Sequence, residues 1–134
     1  SWVYGNGDNF VNRVLKAAEK RELFAVPVGE IGAPTSAKDL ARIILHLIET
    51  NEYGTYHVTC KGSCSRYELA KEVLKLAGKT LQLTEASSVA LEQPAVRPAY
   101  AVLDNFILRI IDVYDMPHWK DSLKEYIEER MVRG

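Results

Sequence analysis

The sequence lacks what would commit it to a membrane, a nucleic acid or a disulfide framework. No apolar run approaches the roughly 18 residues that span a bilayer, so membrane insertion is not expected. Lys and Arg number 17 against 18 Asp and Glu, a net charge of -1. That balance leaves no basic face for a phosphate backbone, and no zinc-finger or RNA-binding motif occurs, so nucleic acid is not an expected partner. There are only two cysteines, Cys60 and Cys64. In a chain of otherwise cytoplasmic character they are expected to be reduced. With His57 they read H-x-x-C-x-x-x-C, but a structural zinc takes four ligands and no fourth is identifiable, so no metal site is expected. The chain has no basic-then-apolar leader and no initiator methionine. It opens on Trp2-Val3-Tyr4, which reads as a strand, and is expected to be a cytoplasmic fragment.

What is present is an ordinary globular composition, 47% hydrophobic and 26% charged over 134 residues. That is one domain's worth of chain, expected to bury about two thirds of its unfolded surface. Gly5-Asn6-Gly7 is a turn signal, after which Asp8 or Asn9 caps a helix carrying Phe10, Val11, Val14, Leu15 and Ala18 on one face. Leu23 to Val28 reads as a short strand interrupted by Pro27, and Gly29 to Pro34 as a loop. Ser36-x-x-Asp39 resembles a capping box and opens a helix whose apolar stripe is Leu40, Ala41, Ile44, Leu47 and Ile48.

Thr55 to Thr59 has high strand propensity. Ser65-x-x-Glu68 is a capping box for a helix from Arg66 to Ala77, stopped by Gly78. Leu81 to Thr84 reads as a strand and Ala86 to Val96 as loop around Pro94. Asn105 to Ile111 reads as a short helix, and His118 to Met131 as a last one after Pro117. Strands alternating with about five helices predict an α/β fold.

Tyr67-x-x-x-Lys71 has the spacing that places a proton-donating tyrosine beside a lysine on one helix face. Catalysis of that kind also needs a Gly-rich turn between a strand and a helix to hold a dinucleotide. Gly5-Asn6-Gly7 would need a third glycine where Phe10 stands, and no acidic residue follows at the right distance. Tyr67 and Lys71 are therefore read as a core aromatic and a solvated lysine, and no catalytic residue is assigned.

Several segments in register carry a resemblance: Ser1-Trp2-Val3-Tyr4-Gly5, Asn9-Phe10-Val11, Gly32-Ala33-Pro34-Thr35 leading to Asp39-Leu40-Ala41, Gly54-Thr55-Tyr56-His57-Val58, Gly62-Ser63-Cys64-Ser65, and Arg97-Pro98-Ala99-Tyr100-Ala101-Val102-Leu103-Asp104. With Trp119 and Leu123 they resemble the C-terminal half of dTDP-4-dehydrorhamnose reductases, extended short-chain dehydrogenases/reductases. The resemblance implies that residues 1–134 form a single substrate-binding domain. The coenzyme-binding domain and the family's catalytic Tyr-x-x-x-Lys would lie upstream of this chain.

It further implies reduction of the C4 ketone of dTDP-4-dehydro-6-deoxy-L-mannose with NADPH or NADH, with magnesium as an optional accompanying ion. The product, dTDP-L-rhamnose, supplies cell-surface polysaccharide. The implied substrate residues are Trp2 against the sugar, Asn9 and Phe10 at a helix start facing the diphosphate, Arg97 as a phosphate contact, and Val28 with Tyr100 near the thymine. Guanidinium suits phosphate because it binds through paired hydrogen bonds.

Two departures stand out, Gly29-Glu30 where the family often has Asp-Gln and Arg66 where it often has Trp. A third is Ala101 in place of Ser. Other readings are a non-catalytic relative of the kind that regulates methionine adenosyltransferase, a sister nucleotide-sugar epimerase or dehydratase, and an interaction domain unrelated to sugars. Alone, the chain is expected to lack reductase activity and to hold no coenzyme. Its strands at Ser1 to Tyr4 and Thr55 to Thr59 are expected to expose edges that favour self-association.

Overall fold

A computed structural model describes residues 1–87, 97–113 and 116–133. The loop expected around Pro94 lies largely outside them. Helix α1 (Phe10–Lys20) starts where Asn9, in extended backbone, accepts the Asn12 amide at 3.1 Å. It stops at Arg21, whose left-handed backbone (φ 57°) returns its amide to the carbonyls of Ala17 and Ala18. Helix α3 (Arg66–Leu76) has the full capping box, Ser65 Oγ accepting from the Glu68 amide at 3.1 Å and Glu68 accepting from the Ser65 amide at 2.7 Å. These two helices pack on each other, and α5 (Trp119–Arg133) packs on α3. Val14, Leu69, Val73, Leu123 and Ile127 fill the space between them and are essentially inaccessible.

The strands are short and lie in three small sheets. β1 (Val3–Tyr4) runs parallel to β4 (Thr35–Ser36). β2 (Phe24–Pro27) runs parallel to β6 (Leu83–Ala86). β3 (Ile31–Gly32) lies between β5 (Cys64–Ser65), antiparallel, and β7 (Tyr100–Ala101), parallel. Pro27 ends its strand, where its missing amide costs least. Helices α2 (Ala37–Ile48) and α4 (Phe106–Ile110) complete the α/β arrangement.

Three expectations need correction. Gly29 to Pro34 is not all loop, because Ile31–Gly32 forms the central strand of the three-stranded sheet. Thr55 to Thr59 is not a strand. Its end is satisfied instead by Asn105, whose Oδ1 accepts the Thr59 amide at 2.9 Å while its Nδ2 donates to the Thr59 carbonyl at 2.7 Å. Strand propensity needs a backbone partner to become a ladder, and here one side-chain amide replaces it.

The stripe predicted on α2 is only partly turned inward: Leu40 and Leu47 are half-buried, with Leu47 against the core, while Ala41, Ile44 and Ile48 are exposed. Asp39 and Ile43 are the buried positions, whereas Ile44 is 50% and Ile48 70% exposed. The inward face is set a step aside from the apolar pattern because Asp39 is drawn in by its hydrogen bond to Ser122. At the start, Val3–Tyr4 pairs on one side with Thr35–Ser36 in a two-stranded sheet.

A buried polar chain locks the start of the chain to α2 and α5. Tyr4 Oη and Ser122 Oγ are 3.0 Å apart, Ser122 Oγ donates to Asp39 Oδ2 at 2.5 Å, and Arg42 Nη1 donates to Asp39 Oδ1 at 2.9 Å. Beside it Lys38 bridges Glu125 and Glu129 on the surface.

Candidate functional site

A cavity of about 690 Å³ opens between the start of the chain, α1, β2 and the first turn of α3. The Gly5–Gly7 turn delivers α1 to it. Asn12, buried in α1, donates to the carbonyls of Gly5 (3.0 Å) and Gly7 (2.8 Å) and accepts from Tyr126 Oη at 2.9 Å. Asn9 adds a bond to the Gly5 carbonyl at 2.8 Å. The turn's carbonyls are thus satisfied by side-chain amides of α1 and its cap, which fixes the angle at which the helix meets the cavity. No coenzyme chemistry is assigned to these residues.

Of the sequence-predicted site residues, the cavity brings together Trp2, Asn9, Phe10 and Arg97. Val28 and Tyr100 are not among its lining residues. Val28 is 43% exposed and bonds Ala86 at the end of the β2–β6 pair, and Tyr100 is 67% exposed beside Ile31. Arg13, Glu30 and Arg66 line it as well. None of these three was assigned a binding role from the sequence, although Glu30 and Arg66 stood out as departures from the family pattern. Arg13 lies four residues after Asn9, on the same side of the helix.

Trp2 adopts a left-handed backbone (φ 49°), uncommon outside glycine. Its indole packs on Gly32, where a Cβ would fall 2.4 Å from the ring. The Arg66 guanidinium stands over the same indole at 3.7 Å from its centroid and 4.9 Å from that of Phe10. Phe10 in turn meets Phe24 edge to face at 5.8 Å. Arg66 Nε donates to Glu30 Oε2 at 3.2 Å, in a pair whose side chains are 13% and 7% exposed. Burial pulls the Arg66 guanidinium below its ordinary value, the Glu30 carboxylate opposes this, and the charges of Arg97 and Arg13 lower it further. Gly29, at φ 78°, makes the turn between β2 and Glu30 that glycine permits.

Tyr67 and Lys71 stand elsewhere. Tyr67 packs on the core, and Lys71 Nζ lies 5.7 Å from its ring centroid. Neither residue lines the cavity.

Cys60 and Cys64 are buried thiols, whereas His57 is exposed. Among the described residues no group of three His, Cys, Asp or Glu could hold a metal ion, magnesium included. Desolvation pushes the Cys64 thiol up from about 9 to about 12 and raises Cys60 in the same direction. Between those values the unfolded chain releases protons that the folded chain keeps, so stability falls as pH rises through that window and is undiminished below it. Denaturation midpoints measured from pH 8 to 11 are expected to decline, with a shallower decline in Cys64→Ala. Native-state alkylation at pH 8 is expected to be slow, and rapid labelling of both thiols would contradict their burial.

No helix among the described residues is long and apolar enough to cross a membrane. Among solved structures, a dTDP-4-dehydrorhamnose reductase of Clostridium acetobutylicum superposes with a TM-score of 0.91 at 39% identity, covering 98% of this chain and 47% of that one. That of Bacillus anthracis, solved with NADP, gives 0.88 at 37%, covering 96% and 46%. The spore coat polysaccharide biosynthesis protein SpsK of Bacillus subtilis is 36% identical over 131 residues, 97% of this chain and 46% of that protein. The α/β fold is therefore that of one half of a dehydrorhamnose-reductase-type enzyme. The chain belongs to the RmlD substrate binding domain family, which matches residues 1–132. It spans about half the length of the relatives it matches.

Proposed function

We propose that this chain is the nucleotide-sugar-binding half of a dTDP-4-dehydrorhamnose reductase. It would act in the cytoplasm with a coenzyme-binding half that brings NADPH and the proton-donating tyrosine. In this reading the chain holds and orients the dTDP-sugar and itself moves no hydride. Arg97 and the opening turn of α1 receive the diphosphate, and the sugar lies beside the edge of the Trp2 indole, whose ring is seated on Gly32 beneath Arg66. What supports the reading most is that Arg97, from a distant part of the sequence, lines the same cavity as Trp2, Asn9 and Phe10 at the start of the chain. The polysaccharide role of the Bacillus relative is consistent with a rhamnose-donating product.

Calorimetric titration of the chain with dTDP and UDP tests it. We expect dTDP to bind more tightly than UDP. Arg97→Ala should weaken dTDP by about tenfold or more, since a charge-assisted pair to phosphate contributes ~1.5–3 kcal/mol. Mixed with NADPH and substrate, the chain alone should show no turnover. Equal binding of both nucleotides, or none of either, would overturn the assignment of this cavity to a dTDP-sugar.

A further inference from the structure

Arg66 has no role in the reading above, yet its side chain is held in the cavity on three sides. Its guanidinium lies over Trp2, beside Phe10, and is anchored by Glu30 through a single hydrogen bond. A closed, bidentate bridge would use two bonds and both carboxylate oxygens. Here Glu30 takes only the Nε–H, so the four Nη–H donors of the fork have no protein acceptor among the described residues. Glu30 Oε1, buried in a side chain only 7% exposed, likewise has no hydrogen-bond partner.

A buried pair joined this loosely is a poor stabilising device, because desolvation of two charges is repaid only when geometry and remaining hydrogen bonds are complete. The charge count points the same way. Arg13, Arg66 and Arg97 line the cavity against two carboxylates, Asp8 and Glu30. Burial and the neighbouring guanidinium charges both work against the Arg66 cation, and an anion in the cavity would relieve them.

We propose that Arg66 is a ligand-binding residue for the diphosphate of a nucleotide ligand, acting with Arg97 and Arg13, and that Glu30 is a positioning residue that holds Nε so the Nη edge meets the ligand. The inference rests on the reading of this cavity as a nucleotide-sugar site, but it concerns the anion and not the base or sugar. A diphosphate carries the two to three negative charges that a cluster of three guanidiniums can match, and bidentate forks suit its oxygens.

The test compares inorganic pyrophosphate, dTDP and thymidine binding to the whole chain and to Arg66→Met, Arg66→Lys and Glu30→Gln. Methionine keeps an apolar side chain between Trp2 and Phe10 while removing the charge. In Arg66→Met, affinity for pyrophosphate and dTDP should fall by 10- to 100-fold with thymidine binding unchanged. Lysine should restore part of the loss, as a point charge without the fork. Glu30→Gln, which keeps an acceptor for Nε, should cost only a few-fold.

Wild-type affinity in Arg66→Met overturns the proposal. So does equal loss of dTDP and thymidine, which would mean that Arg66 merely shapes the cavity, and so does failure of pyrophosphate and dTDP to bind the parent chain at all. If dTDP and UDP bind equally well and both depend on Arg66, the anion site stands and the thymine preference falls.

Discussion

Gly32→Ala is expected to destabilise the fold by about 1–3 kcal/mol, the usual cost of forcing a methyl group into a filled site. The reason is steric and local. A Cβ at position 32 would lie 2.4–2.8 Å from three atoms of the Trp2 indole. Residue 32 is in the central strand of its sheet, paired on both sides with Cys64 and Ala101, so its backbone cannot retreat. The indole must move instead, and Arg66 then loses the ring it stands over. The measurement is a urea titration, in which the midpoint should drop with little change in slope, accompanied by a shift in tryptophan emission. Trp119 is buried in the core and serves as the internal reference. An unchanged midpoint and spectrum would show that the ring is not seated on Gly32.

Asp39→Ala should cost more, about 2–4 kcal/mol, because it leaves buried hydroxyls without their acceptor. Ser122 Oγ donates to Asp39, and Tyr4 Oη meets the same Ser122. Tyr4 and Ser122 are 2% and 3% exposed, so water cannot replace the lost partner. Burial raises the Tyr4 hydroxyl above its ordinary value, keeping it protonated at any working pH. Arg42, the other partner of Asp39, is 44% exposed in its side chain and keeps its hydration, which confines the penalty to the hydroxyls. Asp39→Asn, which retains an acceptor of the same shape, should lose less than half as much. Equal losses in the two variants would mean that the carboxylate's charge, and not its place in the hydrogen-bond chain, stabilises the fold. Because the chain joins β1 to α5, the alanine variant should also loosen the segment that carries Trp2 into the cavity.

The helices were the legible part of this molecule. Asn9, Ser36 and Ser65 are caps by their own chemistry, and the 3.6-residue recurrence of Val11, Val14, Leu15 and Ala18 leaves one face to bury. Strands were less so. Thr55 to Thr59 carries the residues of a strand, but pairing depends on which backbone lies alongside, and the nearest group is the Asn105 side chain. On α2, local pattern could not show that Asp39 would be drawn inward by Ser122. The three elements that build the cavity were each visible, but Arg13 was assigned no role and Glu30 and Arg66 stood out only as departures from the family pattern. Only when β2, α1 and α3 are packed do they line one cavity.

The amino-acid sequence alone determined what local chemistry controls: the α/β class and the caps that start α1, α2 and α3. It also carried the family, through segments whose order and spacing are inherited together. Tertiary structure decided what depends on residues far apart in the chain. It turned Tyr67 and Lys71 away from the cavity, placed Val28 and Tyr100 outside its lining, and set Glu30 against Arg66 across 36 positions. The physical reason is one of range. Capping and periodicity act within a turn or two of helix, whereas the burial that makes an ion pair or an aromatic platform requires the whole core to close.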